Sequence, residues 1–182
     1  MAVRKVLPLT WGCASATEDS SNLNCSKLNK IFFTKPTTEQ MAQFSSLDIE
    51  SQYAIFICGN QVREPPSIHL ATPFAKEGQS VVGFLKAKLI AATSDLTIRD
   101  ILLVFSDMSR YKSYNVVGDT DLMKVIVAAV DRVRDPFWKK TAEQSLDEIR
   151  QQASAAASDR TVGRSGIERT VGLPVPALGA PG

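Results

Sequence analysis

Apolar residues return every three to four positions through residues 79–153, and a chain with that period has to fold as helices packed on one another. Ser80 can cap a first helix in which Val81, Leu85, Lys88, Leu89 and Ala92 follow one face. Thr97, with Asp100 three positions on, reads as a capping box opening a second helix. Its stripe is Ile98, Ile101, Leu102, Phe105 and Met108. Asp119 or Thr120 starts a third, with Leu122, Val125, Ile126, Ala129, Val130 and Val133 inward, and Pro136 stops it. A fourth, from about Phe137, carries Trp138, Ala142, Leu146, Ile149 and Ala153. Four such segments on short connections predict a mainly α fold with a helical bundle-like core over about 79–153.

The first part of the chain reads differently. Residues 12–30 are rich in Ser, Asn and small side chains, too few of them apolar to offset backbone ordering, so 1–30 is expected to be a flexible arm. Ile31, Phe32 and Phe33 are expected to form a short strand or a hook that docks on a neighbouring copy. Thr38 can cap a short helix over 39–46. The run YAIFIC over 53–58 favours a buried strand, with a helix from Asp48 as the alternative. A small β or extended element is therefore expected within 31–58. Pro65, Pro66 and Pro73 make 61–78 a loop. The globular domain is expected over 31–152. A low-complexity, flexible tail follows over 153–182, with Asp159–Gly163 echoed at Glu168–Gly172 and a Pro/Gly-rich end.

Little in the sequence supports catalysis. The chain has one histidine and three cysteines, Cys13, Cys25 and Cys58, without a C-x-x-C pair. An odd, scattered set reads as free thiols in a reducing compartment. The one thiol–imidazole pairing on offer is Cys58 with His69, the basis of a remote alternative, a cysteine-dependent hydrolase. Asp119, Asp121, Asp131 and Asp135 read as helix-start and surface carboxylates rather than metal ligands. No metal, cofactor or small-molecule substrate is implied. Pro8 interrupts the apolar run after Arg4 and Lys5, so export is not expected. No stretch approaches the roughly 18 apolar residues that span a bilayer.

Charge is more informative. The net charge is only +2, and residues 1–78 balance seven bases against seven acids. Over 110–140 seven bases face four acids, with Tyr111, Tyr114 and Trp138 between them. Cations interleaved with aromatics are what single-stranded nucleic acid requires. The candidate contacts are Arg99, Arg110, Lys112, Arg132, Arg134, Lys139 and Lys140.

The segment TIRDILLVFS at 97–106 resembles the core of coat proteins from flexuous filamentous plant viruses, with Thr97, Arg99, Phe105 and Ser106 at the matching positions. Leu102 stands where that family often has cysteine, and its later F-D-F segment has no counterpart. The resemblance implies an arm that links subunits, a helical core and a basic groove for single-stranded RNA. The expected function is a non-enzymatic, self-assembling structural protein, a viral coat protein that packages RNA in the host cytoplasm and virion. Its partners would be further copies of itself and single-stranded RNA. The alternative is a matrix-type protein that assembles on an anionic membrane surface.

Overall fold

The computed structural model describes residues 25–162. Its elements are α1 (Cys25–Ile31), α2 (Thr37–Phe44), α3 (Ile49–Gln61), a 3-10 turn (Ile68–Leu70) leading into α4 (Ala71–Lys76), α5 (Gln79–Ala91), α6 (Asp95–Tyr111), α7 (Thr120–Arg132) and α8 (Pro136–Val162). The fold is mainly α, as the 3.6-residue period predicts. Of the expected arm, residues 1–24 lie outside the described residues and 25–30 form α1; of the expected tail, 153–162 continue α8 as helix and 163–182, with the second copy of the repeat, lie outside the described residues.

The small extended element within 31–58 is absent. Asp48 commits the chain to α3: its Oδ1 accepts the Ser51 N–H (2.9 Å) and its Oδ2 accepts the Ser51 hydroxyl (2.8 Å). YAIFIC therefore lies inside a helix, and every residue from Gln52 to Asn60 except Ala54 is buried. A helix covered on all sides has no polar face and so shows no period.

Phe32 and Phe33 also depart from expectation. The Phe32 N–H donates to Leu28 O (2.9 Å), continuing the turn of α1, and both rings enter this chain's own core. Edge-to-face contacts run from Phe33 to Phe32 (5.0 Å), Phe44 (6.5 Å), Phe74 (6.0 Å) and Phe56 (5.9 Å). They are core residues and not a hook for a neighbour. Ile31 alone of the three points outward, 52% exposed.

The cysteine reading is corrected too. Cys25 and Cys58 are joined in a disulfide with their Cα atoms 5.3 Å apart, within the range such bonds need. The bond fastens α1 to α3, so the globular unit takes in residues from Cys25 rather than from 31. No local motif marks a pair 33 positions apart.

The Pro-rich stretch 61–78 contains α4. Pro73 is tolerated there because it occupies the first turn, where backbone N–H groups have no intrahelical acceptor. Gly78 then turns the chain into α5 with a positive φ of 59°, and a side-chain carbon there would lie 2.6 Å from Ser113 O. The α6–α7 connection thus presses directly on the α4–α5 junction, where the Ser113 hydroxyl donates to Ala75 O (2.7 Å).

At the centre stands α6, packed mainly against α8 and α4. Between Thr97 and Met108 only Arg99 and Leu103 are not buried. The predicted capping box does not form: the helix starts two residues earlier, at Asp95, and Thr97 and Asp100 face the core. At its other end Lys112 takes the left-handed conformation (φ 54°), and the Ser113 N–H reaches back to Met108 O (3.1 Å).

If Cys25 and Cys58 are bonded, denatured but unreduced protein has one alkylatable thiol, Cys13, and reduction exposes three. Reduction should also lower unfolding stability by about 3–4 kcal/mol, the chain-entropy value for a loop of this length. Mass spectrometry after alkylation and urea melts with and without reductant check both; three labelled thiols in unreduced protein would refute the pairing.

Candidate nucleic-acid interface

Asp100 is 1% exposed on α6, and a buried carboxylate must be met by donors. Arg99 donates Nε (2.9 Å) and Nη2 to its Oδ1, and Gln61 of α3 donates Nε2 to its Oδ2 (3.0 Å) and to Thr97 Oγ1 (3.1 Å). Burial still pushes the Asp100 carboxyl up to about 6, against the opposing pull of Arg99 and Gln61. Burial, followed by the Asp100 charge, raises the Tyr53 phenol. The guanidinium of Arg99 also lies over the Trp138 ring, 4.7 Å from its centroid. A sealed carboxylate thus positions a cation, and the cation positions an indole.

That indole belongs to the corner where α7 gives way to α8. Pro136 opens α8 at its first position, and Asp135 closes the amino end by accepting the N–H groups of Phe137 (2.9 Å) and Trp138 (3.1 Å). Asp95 of α6 accepts the N–H groups of Arg134 (3.1 Å) and Asp135 (2.8 Å), tying the connection to the start of α6. Two cations satisfy carbonyls left open at helix ends. Arg132 donates Nη2 to Leu89 O of α5 (2.7 Å), and Lys139 donates Nζ to Val130 O of α7 (2.8 Å) while standing 3.7 Å from Asp131.

The seven candidate cations therefore separate. Arg99, Arg132 and Lys139 are engaged in holding the corner together. Arg134 and Lys140 are exposed there, with no side-chain hydrogen bond or ion pair among the described residues. Arg110 pairs with the buried Asp107 (3.0 Å), whose other oxygen accepts the Thr72 hydroxyl (3.0 Å). Arg110 and exposed Lys112 lie at the far end of α6, and the eleven helical steps from Arg99 to Arg110 span about 16 Å. The set forms two patches rather than one groove.

Phe137, absent from the sequence-derived candidates, stands at the corner with its ring 66% exposed, edge-to-face with Trp138 at 4.7 Å. Only its neighbourhood to Trp138 marked it in the sequence. Along α8 the surface turns acidic: a groove of about 540 Å³ is lined by Lys140, Glu143, Gln144, Asp147, Glu148 and Gln151. An anionic strand would be turned away from that side.

The thiol–imidazole pair does not exist. Cys58 sulfur is buried and bonded to Cys25, so it offers no thiolate. His69 sits in the 3-10 turn, where burial and then Arg63 lower its basicity. Asp119 caps α7 by accepting the Leu122 N–H (2.9 Å) and the Tyr114 hydroxyl (2.7 Å), Asp121 pairs with Lys124 (3.3 Å), and no group of three potential metal ligands forms among the described residues. In the segment behind the viral-coat resemblance, Thr97 and Arg99 join the Asp100 network, Phe105 is core, and Ser106 donates to Glu148 Oε2 (3.0 Å). No helix among the described residues is long and apolar enough to cross a membrane. Comparison with family models, curated proteins and solved structures finds no match.

The raised Asp100 carboxyl predicts an unusual pH dependence. Between the unfolded value of 3.8 and about 6 the folded chain holds a proton that the unfolded chain releases. Its contribution is therefore complete below 3.8 and lost as pH rises through 6, about 3 kcal/mol across the window. Asp100→Asn should remove that slope: the thermal midpoint of the wild type should fall, relative to the variant, from pH 4 to pH 6.5. Parallel curves would show the carboxyl to be unperturbed.

Proposed function

We propose that this chain is a non-enzymatic, self-assembling structural protein of the viral coat type that holds single-stranded RNA at the α7–α8 corner. The observation that carries the reading is the state of the charges there. Asp95 and Asp135 are spent on backbone N–H groups and Asp131 faces Lys139, whereas Arg134 and Lys140 keep their side chains open to solvent. Phosphates would meet two cations that are in no ion pair among the described residues, Arg134 at the connection and Lys140 where the acidic groove of α8 begins. The lost thiolate leaves the hydrolase alternative without its nucleophile. The Cys25–Cys58 bond suits a particle that leaves the reducing host cytoplasm, since virion surfaces are among the places where disulfides persist.

A matrix-type role has one supporting observation. Ile31, Val62 and Ile68 are exposed apolar side chains, and Arg63 lies over Phe33, next in sequence to Val62. Exposed apolar side chains with a cation among them suit an anionic bilayer.

Electron microscopy of the purified protein with RNA and with anionic liposomes separates the two. RNA-dependent filaments or shells support the coat reading, sheets on liposomes the matrix reading, and a monomer under both conditions refutes assembly. In salt titrations of single-stranded RNA binding, Arg134→Gln with Lys140→Gln should flatten the slope by about 1.4, at 0.7 per lost phosphate contact. Arg99→Gln and Arg132→Gln should instead lower the melting temperature. An unchanged slope in the folded double variant would remove the corner from the binding surface.

A further inference from the structure

We infer that Phe137 is a stacking subsite for an unpaired nucleobase, which makes the corner selective for single strands over duplexes. The inference rests on the nucleic-acid reading above and adds the chemical group that the site takes. An aromatic ring on a helix normally turns into the core, as Trp138 partly does. Phe137 is 66% exposed, on the first turn of a helix whose amino end Asp135 already closes. The ring is not loose. Its edge-to-face partner Trp138 lies under the Arg99 guanidinium, and Arg99 is bonded to the buried Asp100. Guanidinium, indole and phenyl form a chain of contacts that leads back to the core, which limits the side-chain freedom lost when a flat ligand arrives.

The charges around the ring choose the ligand. Lys140 lies three positions on, on the same helix face, and Arg134 three positions before, both exposed and without a side-chain partner among the described residues. An apolar peptide would find no use for two free cations beside an aromatic face, and a second copy could pair carboxylates with the cations without using the ring. A nucleotide uses both: the base stacks on the phenyl and the flanking phosphates meet Lys140 and Arg134. Duplex bases are stacked on each other and cannot be offered to the ring without being unpaired. Stacking also needs no base-specific hydrogen bond, so any base is accepted.

The test compares a fluorescently labelled oligouridine with a blunt RNA duplex of the same length, by anisotropy over a salt series. Phe137→Ala should weaken oligouridine binding by about five- to a hundredfold, the usual effect of removing one stacking partner. It should leave the salt slope and the duplex affinity unchanged, and Phe137→Trp should restore the loss. The exposed ring contributes little to the core, so melting curves should be unaltered. Unchanged oligouridine affinity in Phe137→Ala, or an equal loss on duplex, overturns the stacking subsite. If Arg134→Gln with Lys140→Gln still flattens the slope, the electrostatic reading survives that result. No binding of either RNA by the wild type overturns both. A change in oligomer size in Phe137→Ala without a change in RNA affinity would assign the ring to a subunit contact and refute the inference.

Discussion

A carboxylate sealed inside a helical core has to be met by donors from its surroundings, and α6 carries two such groups, Asp100 and Asp107. Each recruits a partner from a different helix: Gln61 from α3 for the first, Thr72 from α4 for the second. Ser106, between them in the sequence, donates to Glu148 of α8. Apolar packing alone tolerates sliding and rotation of helices, because dispersion is nearly isotropic. Polar contacts do not, since an unmet buried carboxylate costs far more than a displaced methyl group. The three contacts therefore set the register of α3, α4 and α8 about α6, and a change at any of them would be felt at the others.

The corner follows from the same requirement applied to helix ends. The last carbonyls of α5 and α7 need donors, and the first N–H groups of α8 need acceptors. Arg132, Lys139 and Asp135 supply them from neighbouring elements, and Asp95 draws the connection onto α6. Capping engages most of the charged side chains at the corner. The side chains it leaves over are positive, Arg134 and Lys140, and the exposed Phe137 stands between them in sequence. A surface suited to an anion thus arises as the remainder of structural pairing.

Much of this was legible in the sequence, and the parts that were not have physical causes. The periodic helices α5 to α8 show because each keeps one face in water. YAIFIC misled because α3 is covered on every side, so its residues carry no alternation of either kind; Asp48, the cap that decides the matter, is one residue among several plausible ones. Thr97 and Asp100 have the spacing of a capping box but serve a buried network, which spacing cannot distinguish. α1 depends on a bond between cysteines far apart in sequence, and α4 hides behind a proline that its first turn accepts. The excess of bases over 110–140 was visible. That Arg132 and Lys139 are bound to backbone carbonyls was not, because those partners lie in other helices and backbone acceptors leave no trace in composition.

How much binding such a corner supplies bears on the kind of protein this is. Two free cations on a chain of net charge +2 give a weak electrostatic hold, and a single stacked base adds only a modest increment. A lone subunit would release a strand readily at physiological salt. Copies arrayed along one strand would not, because each contact after the first is made at high effective concentration and the weak terms multiply. Weak sites of this kind favour a protein that acts as an assembly over one that seeks out a single target. On the proposed reading a sparse corner suffices, since in a repeated structure uniform geometry across copies would matter more than affinity at any one of them. The anchoring of Trp138 through Arg99 to Asp100 would serve that uniformity, since it ties the exposed ring to the largely buried α6.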